Sequence, residues 1–287
     1  MGSRRAMPSF RSSEIDRTRR RRLIVVLAVL ASVAVAAIAG LAASGSRGGR
    51  EQRLAALSSA QLVEPRSALR EPVRRLRIEP AHPGVARVGL QGPPRREVAL
   101  TFDDGFCARC VARIVQTLAR TGAPATIFPN GRFSRAWDPV ARTIRRLVAA
   151  GRLTIGNHTF MHYDAVLESA AALRSDLAAD ERWIERTFGV SARPFFRPPY
   201  GAYNSRTLAV AGQLGLTKVI MWSGTVADSS PRTVGYILDA IRYWTHPGAI
   251  ILMHANYPAT AVALPQILAI LHQRGLRPVT LAQLLGA

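Results

Sequence analysis

Short apolar segments alternate with amphipathic segments along the C-terminal two thirds of the chain. The apolar runs Val98–Phe102 and Ala125–Phe128 are bounded by turn residues, a pattern that predicts buried β-strands. Between such runs, apolar positions recur at helical spacing, as in Leu173–Phe188, which a glycine follows. About seven strand–helix alternations over residues 97–287 predict an α/β fold with a parallel sheet, either open or closed into a barrel.

A separate apolar run, Leu23–Ala43, contains 21 residues without a charge. As a helix it spans about 31 Å, close to the hydrocarbon thickness of a bilayer. An arginine cluster precedes it, so the positive-inside rule predicts a single-pass plasma-membrane anchor with a cytoplasmic N-terminus and an extracytoplasmic remainder. The alternative is a cleaved signal peptide ending at Ala37-Ile38-Ala39, which would leave a secreted protein. The anchor is favoured because the run exceeds the usual length of a signal core.

These patterns divide the chain into four predicted segments. Residues 1–22 form an Arg-rich cytoplasmic segment, and residues 23–43 form the anchor or uncleaved signal. Residues 44–96 are rich in Pro, Gly and Arg, a composition typical of a stem with flexible linker stretches. Residues 97–287 form the folded domain.

The charge of the chain is strongly basic and unevenly distributed. The net charge is +21, and Lys218 is the only lysine among 39 basic residues. Such a bias towards arginine reflects coding composition as much as function, so we predict no nucleic-acid partner. The excess of positive charge is densest before residue 97. There the arginines act as a topology signal and would also contact anionic lipid headgroups.

Two cysteines exclude a disulfide-dense scaffold and a zinc site made of cysteines alone. They form a Cys-x-x-Cys pair, Cys107 and Cys110, at the predicted start of a helix. Outside the cytoplasm a structural disulfide is favoured over redox catalysis, with metal binding third.

Polar residues that could act in catalysis or bind a metal ion follow four predicted strands: Asp103-Asp104, His158 with His162, Arg197, and His254. The two histidines are four residues apart, and on a helical turn both imidazoles would share one face. Two histidines and one aspartate make a three-ligand metal site with an open position, as in catalytic zinc centres. Adjacent aspartates on a strand point in different directions, so one can bind metal while the other acts as a base. The alternative for the pair is capping of the following helix.

Four ordered motifs resemble those of the NodB-homology polysaccharide deacetylases, carbohydrate esterase family 4: Thr101-Phe102-Asp103-Asp104-Gly105, Gly156-Asn157-His158-Thr159-x-x-His162, Arg197-Pro198-Pro199-Tyr200-Gly201, and Leu252-Met253-His254. The resemblance covers about residues 97–287. It implies an irregular (β/α)7-type barrel, here preceded by a single N-terminal transmembrane helix.

The resemblance also implies a specific role for each residue of the site. A divalent metal, usually zinc in this family, would be held by Asp104, His158 and His162. Asp103 would be the general base, and Arg197 would hold it in place and keep it ionised. The leaving amine would be protonated by His254, the oxyanion would be bound by the backbone N–H of Tyr200, and the acetyl pocket would be lined by Leu252.

One motif departs from the family pattern. The family's Asp-x-x-Asp-Trp is represented here by residues 225–229, where Thr225 replaces the first aspartate and Ser229 replaces the tryptophan. Asp228 matches the second aspartate, which pairs with the acid histidine, so the acid is expected to be intact. The missing tryptophan leaves one wall of the substrate pocket undefined. Trp222 is an available aromatic, although core packing is the favoured interpretation.

The predicted function is therefore a membrane-anchored, metal-dependent deacetylase of an N-acetylated wall or surface polysaccharide, with peptidoglycan favoured. Within that class, a chitin-oligomer deacetylase and an O-acetyl esterase of xylan type are alternatives. An Fe(II) oxygenase uses the same metal ligands, but it does not need the acid and base. A glycan-binding wall protein with a degenerate site is the non-enzymatic alternative. The pattern predicts no particular oligomeric state.

Overall fold

The computed structural model describes residues 85–286. Its strands are β1 (Arg87–Gly89), β2 (Glu97–Asp104), β3 (Ala125–Pro129), β4 (Leu153–Ile155), β5 (Phe195–Phe196), β6 (Lys218–Ile220), β7 (Gly224–Thr225), β8 (Ile250–His254) and β9 (Arg277–Val279). Its α-helices are α1 (Ala108–Thr121), α2 (Ser134–Trp137), α3 (Ala141–Ala149), α4 (Ala170–Phe188), α5 (Ser205–Gln213), α6 (Val234–Trp244), α7 (Pro258–Gln273) and α8 (Leu281–Leu285). Short 3-10 turns occupy Gly131–Phe133, Asp138–Val140 and Pro199–Gly201.

All pairings between these strands are parallel, as the alternation of strands and helices predicted. The larger sheet has the order β4-β3-β2-β8-β7, and β9 pairs with the first residues of β2. The smaller sheet has the order β1-β6-β5. One isolated bridge, between Asn157 and Phe196, links the two sheets. Because the strands are parallel, their carboxyl ends lie at one side of the fold.

The expected irregular (β/α)7-type barrel is not closed in residues 85–286, where the parallel strands form two sheets. The strands outside the centre are too short to pair continuously on both edges: β5 and β7 have two residues each. A barrel needs every strand to hydrogen-bond to both neighbours, and the link from β4 to β5 is a single bridge.

Strand β2 is the centre of the fold, and every one of its residues is buried. Both faces of a parallel strand are covered, so β2 reads as a nearly continuous apolar run rather than an alternating one. On one face the largest hydrophobic cluster joins Leu100 and Phe102 to the apolar stripe of α1, which includes Ile114 and Leu118. This packing fixes the position of the two aspartates at the end of β2.

Some elements were not predicted from the sequence. Strand β1 lies within the segment assigned to the stem and pairs with β6, so the folded unit begins ahead of Glu97. Helix α2 and strand β7 have four and two residues, too few to leave a periodic pattern. The segments 1–22 and 23–43, and the stem as far as residue 84, lie outside the described residues. Among residues 85–286, no helix is long and apolar enough to cross a membrane.

Candidate active site

The polar residues predicted at the strand ends meet at one cavity of about 600 Å³. It opens at the carboxyl ends of β2 and β8 and beside the loops that follow β4, β5 and β7. Its lining includes Asp103, Asp104, His158, His162, Tyr200, Leu252 and His254. Arg197 is fully buried behind the lining and reaches the cavity through Asp103.

Both aspartates at the end of β2 face this cavity, although adjacent residues on a regular strand face opposite sides. The alternation ends because Asp104 has a left-handed backbone, with a φ of 66°. Gly105 follows with a φ of 108°, and a Cβ there would lie 2.3 Å from Nε1 of Trp137. The same Nε1–H donates to the Asp104 carbonyl at 2.8 Å. The Asp-Asp-Gly sequence therefore produces a tight bend that presents two carboxylates together.

The two histidines lie in a loop, not on a helical turn as the sequence spacing suggested. Thr159 and His162 have left-handed backbones, with φ of 61° and 57°, which a helix does not contain. The imidazoles still meet, with ring centroids 5.1 Å apart. The i, i+4 spacing predicted the right pair for the wrong local reason, because tertiary contacts shape this loop.

Buried polar side chains that the sequence analysis did not single out hold this loop. Asp180 accepts from the backbone N–H of His158 at 3.1 Å and of Gly131 at 2.9 Å. Asp176, one turn earlier on α4, accepts from the N–H of Met161 at 3.0 Å. Asn130 Nδ2 donates to the carbonyl of His158 at 2.7 Å. Burial raises the pKa of Asp180 well above its usual value, and the neighbouring carboxylates Asp176 and Glu181 add to this shift.

Three ligand atoms converge at one point in the cavity. Oδ1 of Asp104 lies 3.3 Å from Nε2 of His158 and 3.1 Å from Nε2 of His162. The Nδ1–H of His158 donates to the Arg197 carbonyl at 2.6 Å, which leaves Nε2 as the free ligand atom. Oδ1 of Asp104 is buried, and no hydrogen bond of good geometry reaches it from the described residues. Two imidazole nitrogens and one carboxylate oxygen suit a divalent cation.

The charges around this point are consistent with a cation site. Burial alone would raise the pKa of Asp104, but the two neighbouring imidazoles lower it well below its usual value. Burial alone would lower the pKa of His158, but Asp103 and Asp104 raise it above its usual value. A missed residue, Asn256, fixes the carboxylate: its Nδ2 donates to Asp104 Oδ2 at 2.7 Å, and its Oδ1 accepts from the Gly105 N–H at 3.1 Å.

Asp103 is paired with a fully buried arginine. Nη1 of Arg197 donates to Asp103 Oδ1 at 2.7 Å and to the Thr101 hydroxyl at 2.7 Å. Nε donates to the Ile220 carbonyl at 2.9 Å, and the guanidinium lies 4.3 Å from the centroid of the Phe128 ring. Burial lowers the pKa of Arg197, and the adjacent carboxylate opposes this shift. The second oxygen of Asp103, Oδ2, faces the metal-ligand atoms at 3.8 Å from His158 Nε2.

A second ion pair stands at the end of β8. The Nδ1–H of His254 donates to Asp228 Oδ1 at 2.8 Å, and its backbone N–H donates to Oδ2 at 2.9 Å. The Thr260 hydroxyl also donates to Oδ2. Burial alone would lower the pKa of His254, but Asp228, with smaller contributions from Asp103 and Asp104, raises it from 6.5 to about 9. The imidazole is therefore protonated at neutral pH.

The cavity has two walls of different composition. On one side, Tyr200 is 71% exposed, and its ring centroid lies 4.7 Å from that of His162. Trp222 also lines this side while packing against a small hydrophobic cluster, so it is more than the core residue that the sequence suggested. On the other side, Phe106 is 49% exposed and makes edge contacts with Phe133 and Tyr257. The departures at residues 225 and 229 both lie on the lining.

The Cys-x-x-Cys pair lies beside this site. Cys107 and Cys110 are joined by a disulfide. Cys107 is also the N-cap of α1, and its sulfur accepts from the Cys110 N–H at 3.2 Å. The bond closes the first turn of the helix two residues after Gly105, next to the loop that presents the aspartates.

Some of the missed residues left a weak signal in the sequence. Asn256 follows His254 by two positions and could have been included with that motif. Asp176 and Asp180 share one face of α4 and read as solvent-exposed charges, yet both are buried. Thr260 gave no signal, because its partner Asp228 is 32 residues away.

Comparisons with known proteins show which proteins this chain resembles. A family model described as polysaccharide deacetylase matches residues 91–219. A chitooligosaccharide deacetylase of Rhizobium leguminosarum bv. trifolii is 32% identical over 196 residues, which cover 68% of this chain and 85% of that protein. The peptidoglycan-N-acetylglucosamine deacetylase PgdA of Listeria monocytogenes is 29% identical over 191 residues, 67% of this chain and 39% of that protein.

A solved structure resembles the described fold as well. It is a CE4 family pseudoenzyme from Bacillus anthracis, with a TM-score of 0.62 and 25% identity. The match covers 71% of this chain and 69% of that chain.

Proposed function

This chain belongs to the polysaccharide deacetylase family, and we propose that it removes N-acetyl groups from peptidoglycan with the help of a bound divalent metal ion. Members of this family, carbohydrate esterase family 4, are hydrolases that release acetyl groups from polysaccharides. The observation that carries the proposal is the single cavity in which a carboxylate base and an imidazolium acid flank a set of three metal-ligand atoms.

The base is Asp103. Its Oδ1 is held by Arg197, so Oδ2 is left to take a proton from the attacking water. The buried guanidinium lies 2.7 Å from Asp103 Oδ1 and fixes the orientation of the carboxylate. Arg197 thus acts as a positioning residue.

The acid is His254. An amide nitrogen leaves only after it is protonated, so hydrolysis needs a donor near the leaving amine. Asp228 holds the imidazole as its protonated form and accepts from Nδ1, which directs the Nε2–H into the cavity. We expect the Tyr200 backbone N–H to donate to the developing oxyanion and Leu252 to contact the acetyl methyl group, as the family resemblance implies.

A divalent cation would be held by Oδ1 of Asp104 and by Nε2 of His158 and His162, and zinc suits this donor set. When bound, such an ion lowers the pKa of its water towards about 7 and polarises the acetyl carbonyl. The same ligands would bind Fe(II) in an oxygenase, but the acid and base pairs favour hydrolysis. The intact ligands, base and acid likewise favour an enzyme over a glycan-binding protein with a degenerate site.

Peptidoglycan is the favoured substrate because the folded domain carries a large positive charge, which suits an anionic polymer. The similarity to PgdA supports the same choice. Chitooligosaccharide is the second candidate, because the rhizobial relative is slightly more identical in sequence. An O-acetyl xylan would fit the same mechanism. We further propose that Leu23–Ala43 anchors the chain in the plasma membrane and places residues 85–286 outside it.

The test is acetate release by the purified full-length chain in detergent, with zinc or with a chelator. The substrates are peptidoglycan, chitotetraose and acetyl-xylan. The matched variants are Asp103→Asn and Asp239→Asn; Asp239 lies exposed on α6 and pairs only with Arg242 among the described residues. Zinc-dependent release from peptidoglycan that Asp103→Asn abolishes and Asp239→Asn retains is the expected result. Acetate release from chitotetraose or acetyl-xylan alone would overturn the choice of peptidoglycan as substrate. Release from none of the three would overturn the proposal that the chain is a deacetylase.

A further inference from the structure

The arginines of the folded domain are concentrated on one stretch of the chain. Residues 105–152 contain nine arginines and a single acidic residue, Asp138. All nine arginines are exposed: Arg109, Arg113, Arg120, Arg132, Arg135, Arg142, Arg145, Arg146 and Arg152. Residues 153–286 differ, because their eleven basic residues are accompanied by eight acidic ones. A coding bias towards arginine does not explain why the acids are missing from one stretch only.

These nine arginines also differ from other arginines in their partners. Within residues 85–286, none of the nine lies within 4.0 Å of a carboxylate oxygen. Elsewhere in the same region, Arg193 pairs with Glu181, Arg242 with Asp239, and Arg277 with Glu97. The positive charge of residues 105–152 is therefore not neutralised within the described fold.

Helix α1 arranges three of these side chains in a row. Arg109, Arg113 and Arg120 are separated by four and seven residues, so they lie within about 40° of one another around the helix axis. Together with Ala112 and Gln116 they line one surface groove. The row extends about 16 Å along the helix, given its rise per residue.

The helix macrodipole favours Arg120, which lies in the last turn of α1, but it does not account for Arg109. Cations are unfavourable at the N-terminal end of a helix, where the macrodipole is positive. Arg109 nevertheless occupies the first turn of α1, and no acidic residue accompanies it there. Arg109 thus lies against the dipole, and residues 85–286 offer it no carboxylate within 4.0 Å, which points to an anion from outside the domain.

The helix that carries the row begins close to the cavity in the chain. Helix α1 starts two residues after Phe106, which lines the active-site cavity. Next to Phe106, the Arg132 guanidinium lies 5.0 Å from the centroid of the Phe133 ring, another part of the cavity lining. Arg132 also donates to the Met161 carbonyl at 2.7 Å, within the loop that carries the metal-ligand histidines. An extended anion lying along α1 would thus reach the site of hydrolysis.

We propose that the α1 row, defined as Arg109, Arg113 and Arg120, binds the negative groups of an anionic glycan strand whose acetylated sugar occupies the cavity. The proposal rests on the proposed function and narrows its substrate to glycans that carry carboxylates or phosphates. Guanidinium groups suit these anions, because they bind the two oxygens of one group at once. A neutral strand, such as chitin or xylan, has nothing for this row to bind.

The test compares two triple variants of the full-length chain. The first is Arg109→Gln with Arg113→Gln and Arg120→Gln. The matched control, Arg174→Gln with Arg206→Gln and Arg242→Gln, removes the same charge from exposed positions on helices α4, α5 and α6. Acetate release is measured on peptidoglycan and on neutral chitotetraose, at low and at high salt. Co-sedimentation with insoluble peptidoglycan gives a second readout that needs no turnover.

The α1 triple variant is expected to raise KM for peptidoglycan roughly tenfold at low salt and to leave kcat unchanged. The difference should disappear at high salt, which screens such contacts. Rates on chitotetraose and the behaviour of the control triple should match the parent. Co-sedimentation should fall in the α1 triple variant alone.

Equal co-sedimentation and equal KM in the parent and the α1 triple variant would overturn the proposal. So would a variant that keeps its peptidoglycan kinetics but loses part of the parent's preference for anionic over neutral phospholipid vesicles, because the row would then be a membrane contact. A parent that releases no acetate would refute the proposed function. Sedimentation would still decide whether the row binds the glycan.

Discussion

Replacing Asp228 by Asn is expected to move the alkaline limit of activity to lower pH. Asp228 is the anion that holds His254 protonated, through Oδ1 at 2.8 Å from Nδ1. In the variant, the amide oxygen can keep the hydrogen bonds from the His254 backbone N–H and the Thr260 hydroxyl. Its NH₂ group then faces Nδ1 and favours a ring nitrogen without a proton there. The imidazolium loses its main stabilisation while the fold of the site is retained.

The size of the effect follows from the pKa of His254, which is about 9 in the presence of Asp228 against an ordinary value of 6.5. The active acid is the protonated form, so the parent loses activity as the pH rises through about 9. If the variant titrates near the ordinary value, the protonated fraction at pH 8 falls from about 0.9 to about 0.03, a loss of roughly 30-fold. The loss should shrink as the pH falls towards 6, because more of the imidazole in the variant is then protonated; burial, which lowers the pKa of His254, sets how much of the loss remains.

The assay is kcat/KM for acetate release from pH 6 to pH 10, with metal in excess and with Asp239→Asn as the surface control. The reasoning would be refuted by an alkaline limb that coincides in the parent and in Asp228→Asn. A loss of equal size at every pH would also contradict it, because it would mean that Asp228 acts by holding the fold and not by setting the charge of His254.

Three further substitutions test other parts of the site. His162→Ala should abolish tight zinc binding, so that elemental analysis after dialysis finds close to no zinc. Retention of one zinc ion per chain would exclude His162 as a metal ligand. Arg197→Met leaves the buried carboxylate of Asp103 unpaired and should lower the free energy of unfolding, measured in urea, by about 3–5 kcal/mol. The control Arg242→Met breaks an exposed ion pair and should change this free energy by less than about 1 kcal/mol. Equal effects of the two substitutions would contradict the importance of burial. Phe106→Ala removes a partly exposed ring from the cavity rim and should raise KM for glycan oligomers several-fold with little change in kcat. The Tyr243 side chain is about equally exposed, and the control Tyr243→Ala should leave both constants unchanged. A KM that Phe106→Ala does not affect would mean that the Phe106 ring does not contact the substrate.

The sequence predicted the order of most elements and the polar residues that follow four of the strands. Helix ends were readable because their signals are local: Gly122 and Gly189 end α1 and α4 in the left-handed conformation that glycine adopts easily. The polar residues at four strand ends could be grouped because parallel strands place their carboxyl ends at one side of a sheet. The resemblance to the family motifs implied roles for these residues, which periodicity alone left open.

Other features of the site could not be predicted from local sequence patterns. The conformation of the histidine loop depends on Asp176 and Asp180 from α4, and the bend after β2 depends on Asn256, which is about 150 residues away in the chain. Such contacts leave no periodicity in the sequence, because the partners come together only when the sheet has formed.

The arrangement of strands shows the same division. The sequence determined that these segments are strands and helices in alternation, because apolar spacing is a property of neighbouring residues. Tertiary structure decided that the strands form two sheets joined at Asn157 and Phe196, since closure depends on strand length and on pairing between distant segments. It also decided that the arginines of α1 have no carboxylate partner among residues 85–286, because the composition gives the number of charges but not which of them meet.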